Sequence, residues 1–389
     1  MPSLLCALNL KFPNSSAVQY QDPVTQASWP LLPPRWCGES GAPIMLTALP
    51  GITRADIEQG TRSIWRYRAA FPVPISQPIT LGEGCTPLIQ SAFRGLDCQF
   101  KLEWFAPTGS FKDRGSSVML SLLREQDISE VLEDSSGNGG ASIAAYGVAG
   151  GMAVKVLAPE GTSAAKLAQI RAYGADIELV PGSREDTAAA AIEQSTERFY
   201  ASHNWHPFFL QGTKTLGYEL WEDSGFALPD NIVIPVGAGS LLLGCYLAFT
   251  ELLAAGEIER MPRLFASQPQ HCAPVHAAFN AADGAADFAE FKPTVAEGTA
   301  IQRPVRMPLL VQALRESGGG SVAVSEKNIV AVSLELAQQG LFVEPSCAHA
   351  AAGFAALVEE GLMSKDEKTV VVLTGTGLKS SEFYTQQFD

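Results

Sequence analysis

The segment PTGSFKDRG, residues 107–115, places a lysine where it could do covalent chemistry. It follows an apolar run typical of a strand and precedes an apolar run of helical spacing, which we expect to begin near Ser116. Lys112 therefore lies at a predicted strand–helix corner, where clefts form in α/β folds. In a mostly apolar cleft the ammonium form is disfavoured, so the free amine can attack an aldehyde and form a Schiff base. An ordinary surface lysine at a helix start is the alternative interpretation.

The segment EDSSGNGGAS, residues 133–142, is a loop of small residues that leads into a predicted helix. Its backbone amides and the helix N-terminus would attract an anion such as a substrate carboxylate. Asn138 could also hydrogen-bond a ring hydroxyl. A plain turn with a helix cap would give the same pattern. The predicted substrate ligands in this loop are Ser135, Ser136, Gly137, Asn138 and Gly139.

The segment PVGAGSLLLG, residues 235–244, joins an apolar strand to an apolar helix and predicts a phosphate cradle of backbone amides. No GK[ST] follows it, so it is not a Walker loop. A dinucleotide site is the competing interpretation, but no G-x-G-x-x-G with a later acidic residue opens a βαβ unit here. The predicted phosphate ligands are Gly237, Ala238, Gly239, Ser240 and Leu241.

The segment LTGTGLKSS, residues 373–381, ends a predicted buried strand with a hydroxyl. Thr374 at that point suits a pyridine nitrogen that stays neutral, although a strand-end turn with a capping threonine is the plainer interpretation. Together the four segments predict one arrangement along the chain. It consists of a Schiff-base lysine, an anion loop, a phosphate loop and a partner for a ring nitrogen.

Strand-like and helix-like patterns alternate along the chain that carries these residues. Apolar runs predict strands, and alanine-rich stretches between them predict helices. Such alternation implies an α/β fold with parallel sheets covered by helices. The predicted strands are residues 98–105, 152–159, 175–182, 231–239 and 369–377, and the predicted helices include residues 116–126, 141–151, 163–174 and 185–200. Residues 1–75, rich in Pro and Ser, predict an N-terminal arm that wraps the main body, with a partly disordered tail as the alternative.

Composition narrows the class of protein. The 389 residues are 46% apolar and 17% charged, which provides ample core and argues against a disordered chain. The net charge of −14 makes nucleic acid and anionic membranes unsuitable partners. Seven scattered cysteines without a CxxC pair fit a reducing compartment. No apolar stretch approaches 18 residues and the N-terminus does not resemble a signal peptide, so we expect a cytoplasmic protein without a membrane span.

The order and wording of these segments resemble the fold-type-II family of pyridoxal-phosphate enzymes, and most closely the threonine synthases. GEGCTPL (82–88) resembles that family's GEGNTPL, and PTGSFKDRG matches its lysine motif. SSGNGGAS resembles SGNxxAS, SHNWHPFFLQGTKT (202–215) resembles NSxNPxRLEGQKT, and LTGTGLK resembles LTGxGLKD. WRYRAAFPV (65–73) resembles the segment before the first motif, so the resemblance covers residues 60–389.

The resemblance implies pyridoxal 5'-phosphate as cofactor, with Lys112 as the catalytic lysine that binds it. It also implies two open, twisted, mostly parallel sheets flanked by helices, as in the tryptophan synthase β subunit. Residues 76–121 and 216–389 would form the larger cofactor domain, and residues 122–215 a smaller mobile domain. The implied reaction is elimination of phosphate from O-phosphohomoserine followed by addition of water to give threonine. Family members are often dimers, so a homodimer is possible.

The chain departs from the family's pattern in places that bear on the substrate. The family's GNxDDALR, suited to a substrate phosphate, is GSREDTAA here and lacks the later arginine. The remaining candidates for a substrate phosphate are Ser183, Arg184, Asn204 and Lys214. A β-replacing or β-eliminating relative, such as a cysteate synthase or an ammonia-lyase, is therefore an alternative. A third alternative is a pyridoxal-phosphate-binding protein without turnover, which the intact Lys112 and both loops disfavour. The expected partner is a small amino-acid substrate.

A few other residues allow two interpretations each. His203 and His206 could contact substrate or simply pack. Glu344 could approach the cofactor or stabilise a helix start, and the neighbouring His349 fits a structural role. Cys85, in place of the motif's Asn, and Cys347 fit buried inert thiols as well as site residues. A zinc knuckle found in many family members is reduced to Cys37, and because one cysteine cannot hold zinc we expect no metal.

Overall fold

Short strands and longer helices alternate along the chain in the computed structural model, which describes residues 18–281 and 291–388. The strands are β1 Gln19–Gln21, β2 Ser28–Pro30, β3 Met45–Leu46, β4 Leu88–Phe93, β5 Leu96–Leu102, β6 Glu130–Glu133, β7 Ala153–Pro159, β8 Asp176–Val180, β9 Phe199–Tyr200, β10 Asn231–Pro235, β11 Arg263–Pro269, β12 Gly320–Val324 and β13 Thr369–Leu373. The helices are α1 Lys112–Glu125, α2 Asn138–Ala149, α3 Ala164–Ala172, α4 Arg184–Gln194, α5 Pro207–Thr213, α6 Thr215–Asp223, α7 Ser240–Ala254, α8 Pro274–Asn280, α9 Met307–Glu316, α10 Glu326–Gln338, α11 Pro345–Glu359 and α12 Ser381–Thr385.

The larger sheet has six strands in the order β12-β11-β10-β13-β5-β4. All its neighbouring strands run parallel except β4, which pairs antiparallel with β5 at the edge. Every residue of β10 and β13 is buried, as expected for central strands whose two faces are both covered by helices. The carboxyl ends of these strands therefore meet at one edge of the sheet, where clefts of α/β folds form.

The smaller sheet has four parallel strands in the order β8-β7-β6-β9. All four lie between residues 130 and 200, inside the segment for which the sequence predicts a smaller domain. The parallel sheets flanked by helices confirm the predicted fold class. The division into a larger domain and a smaller mobile one stays a prediction.

Several local predictions were wrong at their boundaries, and the strands predicted over residues 231–239 and 369–377 end at Pro235 and Leu373. The helix expected near Ser116 begins four residues earlier, at Lys112 itself. The helix expected over residues 185–200 ends at Gln194, and Phe199–Tyr200 forms strand β9 instead. Tyr200 is fully buried and its ring lies 5.0 Å from that of Trp36, so tertiary packing of an aromatic residue decides its conformation.

The N-terminal arm, so far as residues 18–75 describe it, packs against the rest of the chain. It forms a small antiparallel sheet in the order β2-β1-β3. Tyr20 and Ile44 belong to one hydrophobic core with helix α2 and strand β7, and Ile52 and Tyr67 to another core with helices α6 and α7. Residues 1–17 of the predicted arm lie outside the described residues. None of the helices in the described ranges is long and apolar enough to cross a membrane.

Candidate active site

Lys112 is the first residue of helix α1 and lies in an aromatic-walled cleft. Its Nζ is 4.7 Å from the ring centroid of Phe111 and 5.8 Å from that of Phe209. Within the described ranges this Nζ makes no hydrogen bond or ion pair. Burial lowers the pKa of Lys112 to about 8, against the attraction of the Glu133 and Glu344 carboxyls and together with the charge of Arg184. A lysine in this state readily presents a neutral amine.

The loop before Lys112 is held in place by Asp113, the next residue of the motif. The Asp113 carboxylate accepts hydrogen bonds from the Thr108 amide at 2.7 Å, the Thr108 hydroxyl at 2.5 Å and the Ser142 hydroxyl of helix α2 at 2.7 Å. Burial nevertheless raises the pKa of Asp113 to about 6. Gly115 allows helix α5 to approach, because a Cβ there would lie 2.5 Å from the Phe209 ring. These contacts hold the amine beside Phe209.

Arg114 anchors the same helix from its other side. Its guanidinium is completely buried and donates to Glu103 at 2.6 and 2.7 Å and to Glu219 at 2.9 and 3.0 Å. Lys101 also donates to Glu219, at 2.7 Å. Thr86 of the GEGCTPL segment joins this cluster through its amide, 2.8 Å from Glu219. The buried polar residues around the lysine motif therefore serve to orient helix α1.

The predicted phosphate cradle is a turn between strand β10 and the 15-residue helix α7. Gly239 has φ = +84°, a conformation that favours glycine, and a Cβ there would lie 2.2 Å from Leu310 Cδ2. Within the part of the chain that the structure describes, the backbone amides of residues 237–241 have no hydrogen-bond acceptor. Unpaired amides at the N-terminus of a long helix are suited to binding a phosphate.

The predicted anion loop, residues 135–139, lies at the N-terminus of helix α2. Its Asn138 side chain contacts two residues from far along the chain. The Asn138 amide donates to Glu344 at 2.9 Å and its carbonyl accepts from Lys379 Nζ at 2.7 Å. The loop is therefore held against the end of the larger sheet. Lys379, which belongs to the LTGTGLKSS segment, is therefore also a residue of the site.

Thr374 comes directly after strand β13, and the structure brings it to the lysine loop. Its carbonyl accepts a hydrogen bond from the Phe111 amide at 3.1 Å, and Ser110 forms a bridge with Gly375. The Ser110 hydroxyl is buried and has no partner among the described residues. Lys112 and Thr374 are thus neighbours, as their proposed shared ligand requires.

Ser183 and Arg184 differ in whether their side chains are engaged within the protein or exposed. Ser183 caps helix α4, donating from its hydroxyl to Asp186 at 2.8 Å and accepting from the Asp186 amide at 3.2 Å. Arg184 is exposed at the first turn of that helix. Its positive charge helps to lower the pKa of Lys112. The same charge opposes the burial that raises the pKa of Glu133. Arg184, at the start of helix α4, is therefore a positive charge that affects the pKa of Lys112.

The prediction that Lys214 contacts a substrate phosphate is corrected by its burial. Its ammonium donates to Glu251 at 2.8 and 2.9 Å and to the Ala70 carbonyl at 2.7 Å, so all three protons are engaged. A charge can be buried only with such partners, and they hold it inside the core.

Asn204 is partly buried, and its backbone carbonyl accepts a hydrogen bond from Arg306. Its side-chain oxygen is buried without a partner in the described ranges.

The cleft also contains a carboxyl–imidazole pair that the sequence argument did not identify. Glu133 Oε1 lies 2.6 Å from His203 Nδ1, and Glu133 Oε2 accepts the His203 amide at 3.2 Å. Burial raises the pKa of Glu133 to about 8 and moves the pKa of His203 well below its usual range. The available signals were the acidic pair before SSGNGG and a histidine where NSxNPxRLEGQKT begins with asparagine.

The remaining candidates have structural surroundings. His206 caps helix α5, and His349 lies between the Ser267 and Thr299 hydroxyls at 2.9 and 3.1 Å. Burial raises the pKa of the Cys347 thiol to about 12, as expected of an inert buried cysteine, and also raises that of Cys85. Within residues 18–281 and 291–388, no group of three His, Cys, Asp or Glu side chains is arranged to hold a metal ion.

Comparison with known proteins identifies the family of the chain. Residues 79–375 match the family described as pyridoxal-phosphate dependent enzymes. Threonine synthase of Methanocaldococcus jannaschii is 34% identical over 330 residues, which cover 82% of this chain and 81% of that protein. Threonine synthase of Methanosarcina acetivorans is 34% identical over 328 residues, with the same coverage of 82% and 81%. The processed form of threonine deaminase isoform 2 from Solanum lycopersicum has a similar fold, with a TM-score of 0.66 at 23% identity, covering 78% of this chain and 82% of that one.

Proposed function

The chain belongs to the family of pyridoxal-phosphate dependent enzymes, and on that premise we propose that it is a lyase of the threonine synthase type. The proposed reaction eliminates phosphate from O-phosphohomoserine and adds water to give threonine. The observation that carries this proposal is the Lys112 amine in its aromatic-walled cleft, together with 34% identity to a threonine synthase over 82% of the chain. A substrate with an amine near Lys112 and a phosphate near Arg184 would satisfy both ends of that cleft.

The residues of the cleft fit pyridoxal phosphate. Lys112 offers an amine with no competing hydrogen bond from the described residues, and the unpaired amides of residues 237–241 offer a phosphate site. Thr374 would face the ring nitrogen, and Asn138 the ring hydroxyl. The buried Ser110 hydroxyl, which lacks a partner among the described residues, supports a polar ligand beside Lys112. When bound, the cofactor supplies an electron sink for the pair left at the substrate's α-carbon.

The chain's own groups would bind and orient the substrate around Lys112. The loop of residues 135–139 presents small side chains and a helix N-terminus to the substrate carboxylate. Arg184 would pair with the phosphate. Lys112, whose pKa burial lowers to about 8, would take the α-proton in its neutral form. Phe111 and Phe209 cover this lysine and limit access of water to its amine.

Product analysis tests the proposal directly. The enzyme, loaded with pyridoxal phosphate, is incubated with O-phospho-L-homoserine, and inorganic phosphate and threonine are measured together. We expect inorganic phosphate and threonine in equal amounts from the wild-type enzyme, and neither product from Lys112→Ala. O-Phosphoserine and other β-substituted alanines are assayed in parallel. Turnover of these without phosphate release from O-phosphohomoserine would support the β-replacing or β-eliminating alternative, which the missing second arginine of GSREDTAA keeps open.

We also propose, on the resemblance alone, that the enzyme forms a homodimer and works in the cytoplasm. The smaller domain of residues 122–215 would move to cover the substrate. Its contacts across the cleft in the structure include Asn138 with Glu344 and Lys379. Release of these contacts would accompany opening, which small-angle scattering with and without substrate can measure.

A further inference from the structure

The proposed reaction requires a proton transfer that Lys112 does not account for. When the carbon–oxygen bond to a phosphate dianion breaks, the electron pair leaves on the phosphate oxygen, which is strongly basic and needs a proton. When water later bonds to the β-carbon, its oxygen must lose a proton. Over one turnover these two demands balance. A single group that gives a proton to the phosphate and takes one from the water would meet both.

The Glu133–His203 pair has the geometry for this task. His203 Nδ1 is held at 2.6 Å by Glu133 Oε1, which leaves Nε2 as the ring nitrogen available to a ligand. That Nε2 makes no hydrogen bond within the described ranges, and the residue is buried, with 4% of its surface exposed. A carboxylate that orients an imidazole through one nitrogen and frees the other is the arrangement of hydrolase triads.

His203 also lies on the same side of the cleft as the proposed reaction. The Phe209 ring centroid is 5.8 Å from the His203 ring and 5.8 Å from Lys112 Nζ, so one side chain contacts both. A Cβ on Gly139 would lie 2.7 Å from His203 Cε1, which places the imidazole against the anion loop. The pair is therefore adjacent to the groups proposed to bind the substrate's amine and carboxylate.

We propose that His203, oriented by Glu133, carries this proton. As the carbon–oxygen bond breaks, Nε2–H donates its proton to the departing phosphate oxygen, which leaves as hydrogen phosphate. As water bonds to the β-carbon, its proton passes to the same Nε2 and restores the pair. His203 would thus be a catalytic residue and Glu133 a positioning residue. This inference rests on the proposed function and adds to it the group that exchanges phosphate for hydroxyl.

The charges around the pair are consistent with a proton that can leave near neutral pH. Lys112, Asp134 and Arg184 face it from helix α1, the end of strand β6 and helix α4. Because burial raises the pKa of Glu133 to about 8, the pair is neutral overall below that pH and carries a proton on Nε2. Above that pH it loses one proton and becomes anionic, and Nε2 can only accept.

The test compares His203→Asn, His203→Gln and Glu133→Gln with the wild-type enzyme. Asparagine and glutamine can hydrogen-bond a phosphate but cannot release a proton at neutral pH. We expect both His203 variants to lower kcat for phosphate release by about 100-fold or more, with KM within about threefold. Loss of activity above about pH 8 in the wild type should disappear in these variants. His206→Asn is the matched control, since it makes the same change in the same segment at a helix cap.

A second readout does not depend on turnover. The His203 ring signal, assigned by NMR from its absence in His203→Asn, should shift with a midpoint near pH 8 in the wild-type protein without substrate. Glu133→Gln should abolish that midpoint. Should both His203 variants keep wild-type kcat, or change only KM, the inference is overturned even though the enzyme releases phosphate. Absence of phosphate release by the wild type would instead overturn the proposed function.

Discussion

Removing the Arg184 side chain should weaken binding of a phosphorylated substrate far more than binding of an unphosphorylated one. A charge-assisted hydrogen bond contributes about 1.5–3 kcal/mol. Arg184 is exposed at the start of helix α4, so salt and water screen it, and the lower end of that range applies. About 1.5 kcal/mol corresponds to roughly a tenfold change in affinity. We therefore expect Arg184→Ala to raise KM for O-phosphohomoserine by about tenfold and to leave kcat nearly unchanged.

The assay measures KM for O-phosphohomoserine and for an unphosphorylated analogue at low and high salt. In the wild type the KM for the phosphorylated substrate should rise with salt, and in Arg184→Ala this dependence should weaken. Arg171→Ala is the control, because Arg171 is an exposed arginine of helix α3 that is not among the charges affecting Lys112. Equal changes in KM for both substrates would remove Arg184 from the phosphate site and refute the reasoning.

Three further predictions concern the cofactor and the scaffold. Gly239→Val should weaken binding of pyridoxal phosphate by roughly tenfold or more in a fluorescence titration, whereas Gly256→Val, which also changes a glycine of positive φ beyond the other end of helix α7, should not. Arg114→Met should lower the free energy of unfolding by roughly 3–5 kcal/mol in urea, because Glu103 would lose its ion-pair partner and Glu219 would keep only Lys101. The rate at which pyridoxal phosphate adds to the cofactor-free protein should rise with pH through about 8 and then level, since burial lowers the pKa of Lys112 from 10.5. A rise that continues to about pH 10 would indicate an ordinary exposed lysine.

The sequence predicted the parts of the site that depend on local order. A strand followed by small residues and a helix N-terminus has a known backbone geometry, so the turn at residues 237–241 and the corner at Lys112 could be located from the chain alone, while their binding roles stay predictions. Parallel strands bring their carboxyl ends to one edge, which also explains why Thr374 lies beside the lysine loop.

Features that depend on distant side chains could not be predicted in this way. Lys214 looked available because it lies in a motif, but its partner Glu251 is 37 residues away and buries it. Glu133 and His203 are 70 residues apart, and Asn138 and Lys379 are 241 apart. Nothing in local spacing reveals such pairs, because only the packing of strands and helices brings them into contact. The aromatic end of the helix predicted over residues 185–200 failed for the same reason.

Chemical trapping tests whether Lys112 holds the cofactor. The protein loaded with pyridoxal phosphate is reduced with borohydride, digested, and mapped by mass spectrometry. Lys379 is the strongest rival, because its amine reaches into the same cleft and donates to Asn138. We expect a pyridoxyl group on Lys112 alone, with labelling lost in Lys112→Ala. A pyridoxyl group on Lys379 or Lys214 in the wild-type protein would contradict it.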